Sequence, residues 1–136
     1  TGGEQDCDLR IWKDMVKRKI VNIFQPDVMY MGGLTKALKA AKIIEDGGFI
    51  CTPHTANLSM VTICTMHFLK AINNAGPYLE FSIEGDDYYP WQQNIFLNNP
   101  FLVSDGNLSI NDTPGWGIDF NPNWLEKMAY EAYVYQ

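Results

Sequence analysis

An alternation of helical and extended patterns runs through residues 8–83 and constrains the fold more than any other feature of the chain. Three stretches carry the apolar spacing of helices, at residues 8–19, 32–46 and 57–72. Each is followed by a β-prone apolar run, so strands are predicted at residues 20–25, 49–54 and 76–83. Because the connections are short, the alternation indicates βα units arranged as a parallel sheet or barrel.

The helices have boundary signals of their own. Asp8 is predicted as the N-cap of the first helix, whose apolar stripe consists of Leu9, Trp12, Met15 and Val16. The second helix is expected to end at the Gly47–Gly48 pair and to bury one face, formed by Leu34, Ala37, Leu38, Ala41 and Ile44. The third is apolar on nearly all sides, which indicates burial between neighbouring elements.

Composition excludes several classes of protein. The 136 residues suit one domain, with 46% hydrophobic and 19% charged residues. The net charge is −6 without a basic stripe, so no nucleic acid partner is expected. No apolar run reaches the roughly 18 residues of a membrane span, so no membrane association is expected. Three cysteines without paired spacing predict a reduced, cytoplasmic compartment, and the second and third are expected to be small apolar fillers (Cys7, Cys51 and Cys64).

The last third of the chain has a different character. It is rich in loops and aromatic residues, and Asp105-Gly106 between two β-prone runs predicts a β-hairpin. Trp116 and Trp124 are expected to be packing anchors, and residues 124–136 have the pattern of a final helix. The chain is therefore divided into βα units at residues 1–84 and a C-terminal loop, hairpin and tail at residues 85–136.

Four ionisable residues recur near the predicted strand ends. They are Glu4, Asp27, His54 and Glu80, separated by 23, 27 and 26 residues, or about one βα unit each. The carboxyl ends of successive parallel strands lie side by side on one face of such a fold. We therefore expect the four side chains to converge, with Asp27 and His54 on adjacent strands within hydrogen-bonding reach.

These residue types together fit one kind of chemistry. If Asp27 accepts the Nδ1 proton of His54, the tautomer is fixed and the other ring nitrogen becomes a general base. Glu4 offers the oxygen ligand that Mg²⁺ prefers, and a protonated Glu80 would donate to a substrate oxygen. A metal, a base and a donor indicate proton abstraction next to a carboxylate.

Each residue taken singly also has an ordinary structural interpretation. His54 could be a packed histidine at a strand end, and Glu4 could be an N-cap or a solvated carboxylate. Asp27 follows Pro26 and suits a turn. The shared spacing favours a common functional interpretation over independent structural ones. His67, inside the apolar third helix, is expected to be a core or interface histidine.

The chain resembles the C-terminal part of the enolase superfamily, and most closely the mandelate racemase subgroup, in which acid-sugar dehydratases are abundant. The resemblance is carried by the stretches GGEQD, QPDVMYMGGLTKALKAAKIIEDGG, TPHTAN, GPYLEFSI and PGWGIDFNP. It implies an α/β fold that is the C-terminal half of a modified TIM-type (β/α)7β barrel, from the end of strand 5 to strand 8. A β-hairpin and an irregular C-terminal segment would follow and pack against a capping domain.

The resemblance also implies roles for the four residues. Glu4 corresponds to a carboxylate ligand of Mg²⁺, and Asp27 and His54 to an Asp–His dyad with His54 as general base or acid. Glu80 corresponds to a carboxyl group that hydrogen-bonds the substrate carboxylate. The implied activity is that of a lyase that takes the α-proton of a small carboxylate and dehydrates an acid sugar through an enediolate. A racemase or epimerase with the same half-reaction, and a non-catalytic half-barrel for assembly, stay open as alternatives.

The family's capping domain and first barrel strands have no counterpart in these 136 residues. Those parts carry two further metal ligands and a lysine base, and a full barrel needs roughly 250 residues. The chain is therefore expected to be a fragment that associates with its missing N-terminal half or with a second copy. We expect it to be inactive alone, and the parent enzyme to be a homo-oligomer.

Overall fold

Three helices and two short strands alternate along the first of two compact units, Thr1–Glu84 and Gly85–Gln136. The computed structural model describes residues 1–85, 87–128 and 133. The elements of the first unit are α1 (Leu9–Arg18), β1 (Ile23–Phe24), α2 (Leu34–Asp46), β2 (Ile50–Cys51) and α3 (Met60–Ala71).

Helix α1 begins and packs as its sequence predicts. The Asp8 carboxylate accepts the backbone N–H of Arg10 at 2.8 Å, which confirms the N-cap. Trp12 and Met15 are buried, and the helix ends at Lys19 in the left-handed conformation (φ 52°). Helix α3 buries six of its twelve side chains, so the predicted burial holds for half of them. No helix within the described ranges is long and apolar enough to cross a membrane.

The predicted apolar face of α2 is right except at Leu38. The helix ends at Gly47 as expected, and four of its side chains are buried: Ala37, Ala40, Ala41 and Ile44. Leu38 is exposed. It follows Ala37 by one residue and so lies roughly 100° farther around the helix axis, outside the buried stripe.

The extended segments lie side by side in chain order, and every pairing among them is parallel. Strands β1 and β2 pair with Phe24 opposite Cys51. Gly2 bridges to Phe24 on one side, and Ala75 bridges to Cys51 on the other. These pairings confirm the predicted α/β arrangement. Because side chains alternate along a strand, Cys51 is buried while its neighbour Ile50 is exposed, so the prediction of a buried β2 holds for one face only.

The prediction of a strand at residues 76–83 is wrong. Pairing on this side of β2 ends at Cys51, whose carbonyl accepts the N–H of Gly76 at 2.9 Å. The next donor of a parallel ladder would be residue 53, and Pro53 has no N–H. Glu80 therefore lies in an irregular segment.

The core of the first unit forms where the helices meet β1. Trp12, Phe24 and Phe68 are fully buried there. The Phe24 ring lies between two aromatic neighbours, with ring centroids 6.2 Å from Trp12 and 5.3 Å from Phe49. The indole N–H of Trp12 donates to the carbonyl of Asp6 at 3.0 Å, so the buried ring keeps its polar group paired. This core holds the strand ends in place.

The second unit has short elements joined by turns. They are a 3-10 helix at Pro90–Gln92, strands β3 (Val103–Ser104) and β4 (Asn107–Leu108), and helix α4 (Pro122–Leu125). Strands β3 and β4 are antiparallel, and Asp105 and Gly106 between them have positive φ angles (49° and 74°), which confirms the hairpin. Trp116 is 39% exposed and its role as a packing anchor stays a prediction, whereas Trp124 donates its indole N–H to the Trp91 carbonyl at 2.7 Å. Most of the predicted final helix, residues 129–132 and 134–136, lies outside the described residues.

Candidate active site

Asp27 and His54 meet where β1 and β2 end. They are bridged in parallel with the same offset of 27 residues that relates Phe24 to Cys51, so the strand register continues through them. The backbone N–H of His54 donates to the Pro26 carbonyl at 3.2 Å. His54 Nδ1 lies 2.7 Å from Asp27 Oδ2, and only 5% of the Asp27 side chain is exposed. This short contact between a buried carboxylate and a partly buried imidazole makes Asp27 and His54 a dyad.

The turn after Asp27 fixes the orientation of its carboxylate. Asp27 Oδ1 accepts the backbone N–H groups of Met29 at 2.6 Å and Tyr30 at 2.9 Å. Because Oδ1 is engaged by the turn, Oδ2 faces the imidazole and accepts its Nδ1 proton. In the neutral ring this leaves His54 Nε2 without a proton, so Nε2 is the atom able to act as a base.

Glu4 and Glu80 flank the Nε2 atom of His54. Glu4 Oε2 lies 3.8 Å from Nε2 and Glu80 Oε2 lies 3.9 Å from it. Both distances are longer than a hydrogen bond. Half of each carboxylate side chain is exposed (49% and 46%), compared with 17% for His54. The structure thus brings all four predicted residues together, with the base nitrogen between two accessible carboxylates.

Each carboxylate is placed by a local backbone feature. Glu4 follows Gly3, which adopts a positive φ of 103° and lacks a Cβ that would lie 2.6 Å from the Trp12 ring. Glycine therefore lets this segment approach the core closely. Glu80 Oε2 accepts the backbone N–H of Thr55 at 3.0 Å, which ties the irregular segment to the residue after His54.

The structure adds three residues that the sequence-based prediction missed. The Tyr30 ring lies parallel to the His54 ring, with centroids 6.4 Å apart and planes 12° apart. Thr55 and Thr62 form a buried hydroxyl pair behind the loop. Thr62 carries a partial signal, because it is one of two threonines in a mostly apolar helix. Tyr30 and Thr55 carry none, since their contacts depend on the course of the turns.

The site supplies part of what a Mg²⁺ ion needs. Glu4 supplies an accessible carboxylate, the ligand type that Mg²⁺ selects. Among residues 1–85, 87–128 and 133, no group of three or more His, Cys, Asp or Glu side chains is arranged to hold a metal ion. This part of the chain thus fits one ligand of a Mg²⁺ site and does not complete it.

The cysteines do not contribute a nucleophile to this site. Burial raises the pKa of the Cys51 thiol to about 12 and also raises the pKa of Cys64. Both are therefore thiols rather than thiolates near neutral pH, in keeping with their predicted packing role. Cys7 is exposed.

Similar proteins share this fold. Residues 1–124 match the family model described as Enolase C-terminal domain-like. L-rhamnonate dehydratase from Saccharopolyspora erythraea is 29% identical over 113 residues, which cover 81% of this chain and 27% of that enzyme. A candidate racemase from Roseobacter denitrificans is 49% identical with a TM-score of 0.92, covering 96% of this chain and 36% of that protein. An enolase from Pantoea ananatis with bound D-gluconate and Mg is similar in fold, with a TM-score of 0.70, 24% identity and coverage of 93% and 29%. The chain spans well under half the length of each relative.

Proposed function

This chain belongs to the Enolase C-terminal domain-like family, and from that premise we propose that it is the C-terminal part of a Mg²⁺-dependent lyase that dehydrates an acid sugar. The observation that carries the proposal is the dyad, in which Asp27 holds Nδ1 of His54 at 2.7 Å and leaves Nε2 facing two carboxylates. The 29% identity to a rhamnonate dehydratase supports the choice of reaction.

In the proposed reaction, His54 Nε2 removes the α-proton of a sugar acid. The C–H bond breaks, its electron pair moves toward the substrate carboxylate as an enediolate forms, and the proton binds Nε2. Asp27 stabilises the resulting imidazolium through the Nδ1 hydrogen bond. The enediolate's electron pair then forms the double bond between the α- and β-carbons while the C–O bond to the β-hydroxyl breaks. The hydroxyl takes up a proton from solvent and leaves as water, and the resulting enol becomes a 2-keto acid. In the competing assignment, His54 is not the base but the acid that protonates the leaving β-hydroxyl.

The two glutamates take complementary roles in this proposal. Glu80 in its protonated form, with Oε2 held by the Thr55 N–H, would donate from its other oxygen to the substrate carboxylate where negative charge develops. Glu4 would be one oxygen ligand of Mg²⁺. When bound, Mg²⁺ supplies Lewis-acid stabilisation of the substrate's negative charge. The further ligands would come from the rest of the protein, because this chain covers 27% to 36% of the dehydratase and the candidate racemase. We therefore propose that the isolated chain is inactive, and that the active enzyme is a cytoplasmic homo-oligomer that includes the missing N-terminal half.

The test uses the longer protein that contains this chain, with Mg²⁺ and a panel of sugar acids, and measures formation of 2-keto-3-deoxy acids. We expect turnover of at least one acid, and a loss of about 10²- to 10⁴-fold in His54→Asn. His67→Asn is the matched control, because it makes the same change at the other histidine of the chain, which lies on helix α3 and is not one of the four site residues. Full activity in His54→Asn would contradict the proposal.

A racemase or epimerase is the second candidate, favoured by the 49% identity to a candidate racemase. It would use the same proton abstraction without loss of water. The same assay separates the two, because a racemase inverts the α-carbon and forms no keto acid. A protein that catalyses neither reaction, nor α-proton exchange, would be the non-catalytic assembly module.

A further inference from the structure

Two buried threonine hydroxyls tie the loop after His54 to helix α3. Thr55 and Thr62 are 3% and 1% exposed, and their hydroxyl oxygens lie 2.9 Å apart. The Thr62 hydroxyl also donates to the backbone carbonyl of Asn57. Because a hydroxyl carries a single hydrogen, Thr62 must accept from Thr55. The hydrogen bonds therefore run in one direction, from Thr55 through Thr62 to Asn57.

Thr55 connects this hydroxyl pair to the candidate active site. Its backbone N–H donates to Glu80 Oε2 at 3.0 Å, and the same oxygen lies 3.9 Å from His54 Nε2. Glu80 lies outside any strand and its side chain is half exposed, so neither strand pairing nor burial holds its carboxylate. The direction of the Thr55 N–H therefore determines where the carboxylate lies.

We propose that Thr62 is a positioning residue for Glu80. Acting through Thr55, it holds the N–H that keeps the Glu80 carboxylate beside His54. A valine at position 62 has nearly the same shape but offers no oxygen, so the buried Thr55 hydroxyl would lose its partner and the loop would turn to satisfy it. The geometric claim is that Thr62 keeps the Glu80 carboxylate beside His54, and it is independent of the proposed function. The catalytic consequence, a lower turnover when Glu80 is displaced, rests on the proposed function.

The test measures hydrogen exchange of the Thr55 amide by ¹H–¹⁵N NMR in the 136-residue chain. We expect Thr62→Val to speed exchange of this amide by about tenfold, because its hydrogen bond to Glu80 opens more often. Thr62→Ser keeps the hydroxyl and should restore exchange to within about twofold of wild type. The matched control is Thr65→Val, which removes an equally buried hydroxyl that bonds Val61 one turn along the same helix.

Three outcomes decide the geometric claim. Faster exchange in Thr62→Val, rescue by Thr62→Ser and no change in Thr65→Val together support it. Unchanged exchange in Thr62→Val overturns it, and so does an equal effect of Thr65→Val, which would indicate general destabilisation. If Thr62→Val does not fold, Thr55→Val removes the same hydrogen bond from the other end and decides the question in the same way.

The catalytic consequence is measured separately in the longer protein. Thr62→Val should lower kcat about tenfold with rescue by Thr62→Ser, because Glu80 is proposed to act where charge develops. An altered Thr55 amide with unchanged kcat would overturn the positioning role in catalysis. A wild-type protein without activity on any sugar acid would refute the proposed function, while the amide measurement would still decide the geometry.

Discussion

Replacing Asp27 separates its structural role from its role toward His54. The buried carboxylate accepts three hydrogen bonds, two at Oδ1 from Met29 and Tyr30 and one at Oδ2 from His54. Asp27→Ala removes both acceptor oxygens and so all three hydrogen bonds. Asp27→Asn keeps a carbonyl oxygen for the two turn amides, because only an oxygen can accept from them, and so places the amide NH₂ against the imidazole.

The two variants should differ in stability. At about 1 kcal/mol for each hydrogen bond, Asp27→Ala should lower the free energy of unfolding by about 3 kcal/mol. Asp27→Asn keeps the two turn bonds and replaces the charge-assisted bond to His54 by a neutral one, so it should lower the free energy of unfolding by about 1 kcal/mol. Urea unfolding followed by circular dichroism at 222 nm measures both, because helices α1 to α3 all lie in the unit that contains Asp27.

The asparagine variant should also reverse the tautomer of His54. Its NH₂ group donates to Nδ1, so the imidazole proton moves to Nε2 and the base is lost. ¹⁵N NMR of the imidazole shows which nitrogen carries the proton. In the longer protein, α-proton exchange should fall by about 10²- to 10⁴-fold although the fold is kept. If Asp27→Asn and Asp27→Ala destabilise the protein equally, the two turn hydrogen bonds do not hold Asp27 as described. If Nε2 carries no proton in Asp27→Asn, Asp27 does not determine the tautomer of His54.

Three further predictions test the fold around the site. Hydrogen bonds from Arg10 lower the pKa of Asp8 from 3.8 to about 2. The stability that this N-cap gives helix α1 is therefore present above about pH 4 and is lost as the pH falls through about 2. Circular dichroism should show helix loss in that window, and Asp8→Asn should remove the pH dependence; an unchanged profile in Asp8→Asn would argue against the cap. Burial raises the pKa of Cys51 to about 12, so iodoacetamide at about pH 8 should label Cys7 and spare Cys51 until denaturant is added, as read by mass spectrometry. Early labelling of Cys51 would contradict its burial. Phe24→Ala should lower the free energy of unfolding by about 3–5 kcal/mol, because the ring is fully buried between aromatic neighbours; a urea-unfolding loss below about 1 kcal/mol would contradict that packing.

Much of the first unit was predictable because its signals are local. The stripe from Leu9 to Val16 and the Gly47 boundary lie within single helices, where periodicity and capping determine the outcome. The meeting of Asp27 and His54 was also predictable, although it is long-range. Their separation of 27 residues equals the register offset between β1 and β2, so parallel pairing brings them together directly.

The placement of Glu80 depends on features that spacing does not reveal. The bridge between Cys51 and Ala75 has an offset of 24 residues, whereas Glu80 follows His54 by 26, so Glu80 lies beyond the register position opposite His54. Pro53 also ends the ladder before a strand can form there. The carboxylate is held by the Thr55 N–H, a backbone donor that every non-proline residue has, so nothing in the sequence distinguishes it.

The most direct test of the account follows the α-hydrogen itself. The longer protein is incubated in D₂O with Mg²⁺ and the sugar acid that it turns over best, and deuterium at the α-carbon is measured by mass spectrometry in recovered substrate. We expect incorporation by wild type and by His67→Asn, and a loss of about 10²-fold or more in His54→Asn. Wild-type incorporation in His54→Asn would contradict it, because another group would then be the base and His54 at most the acid.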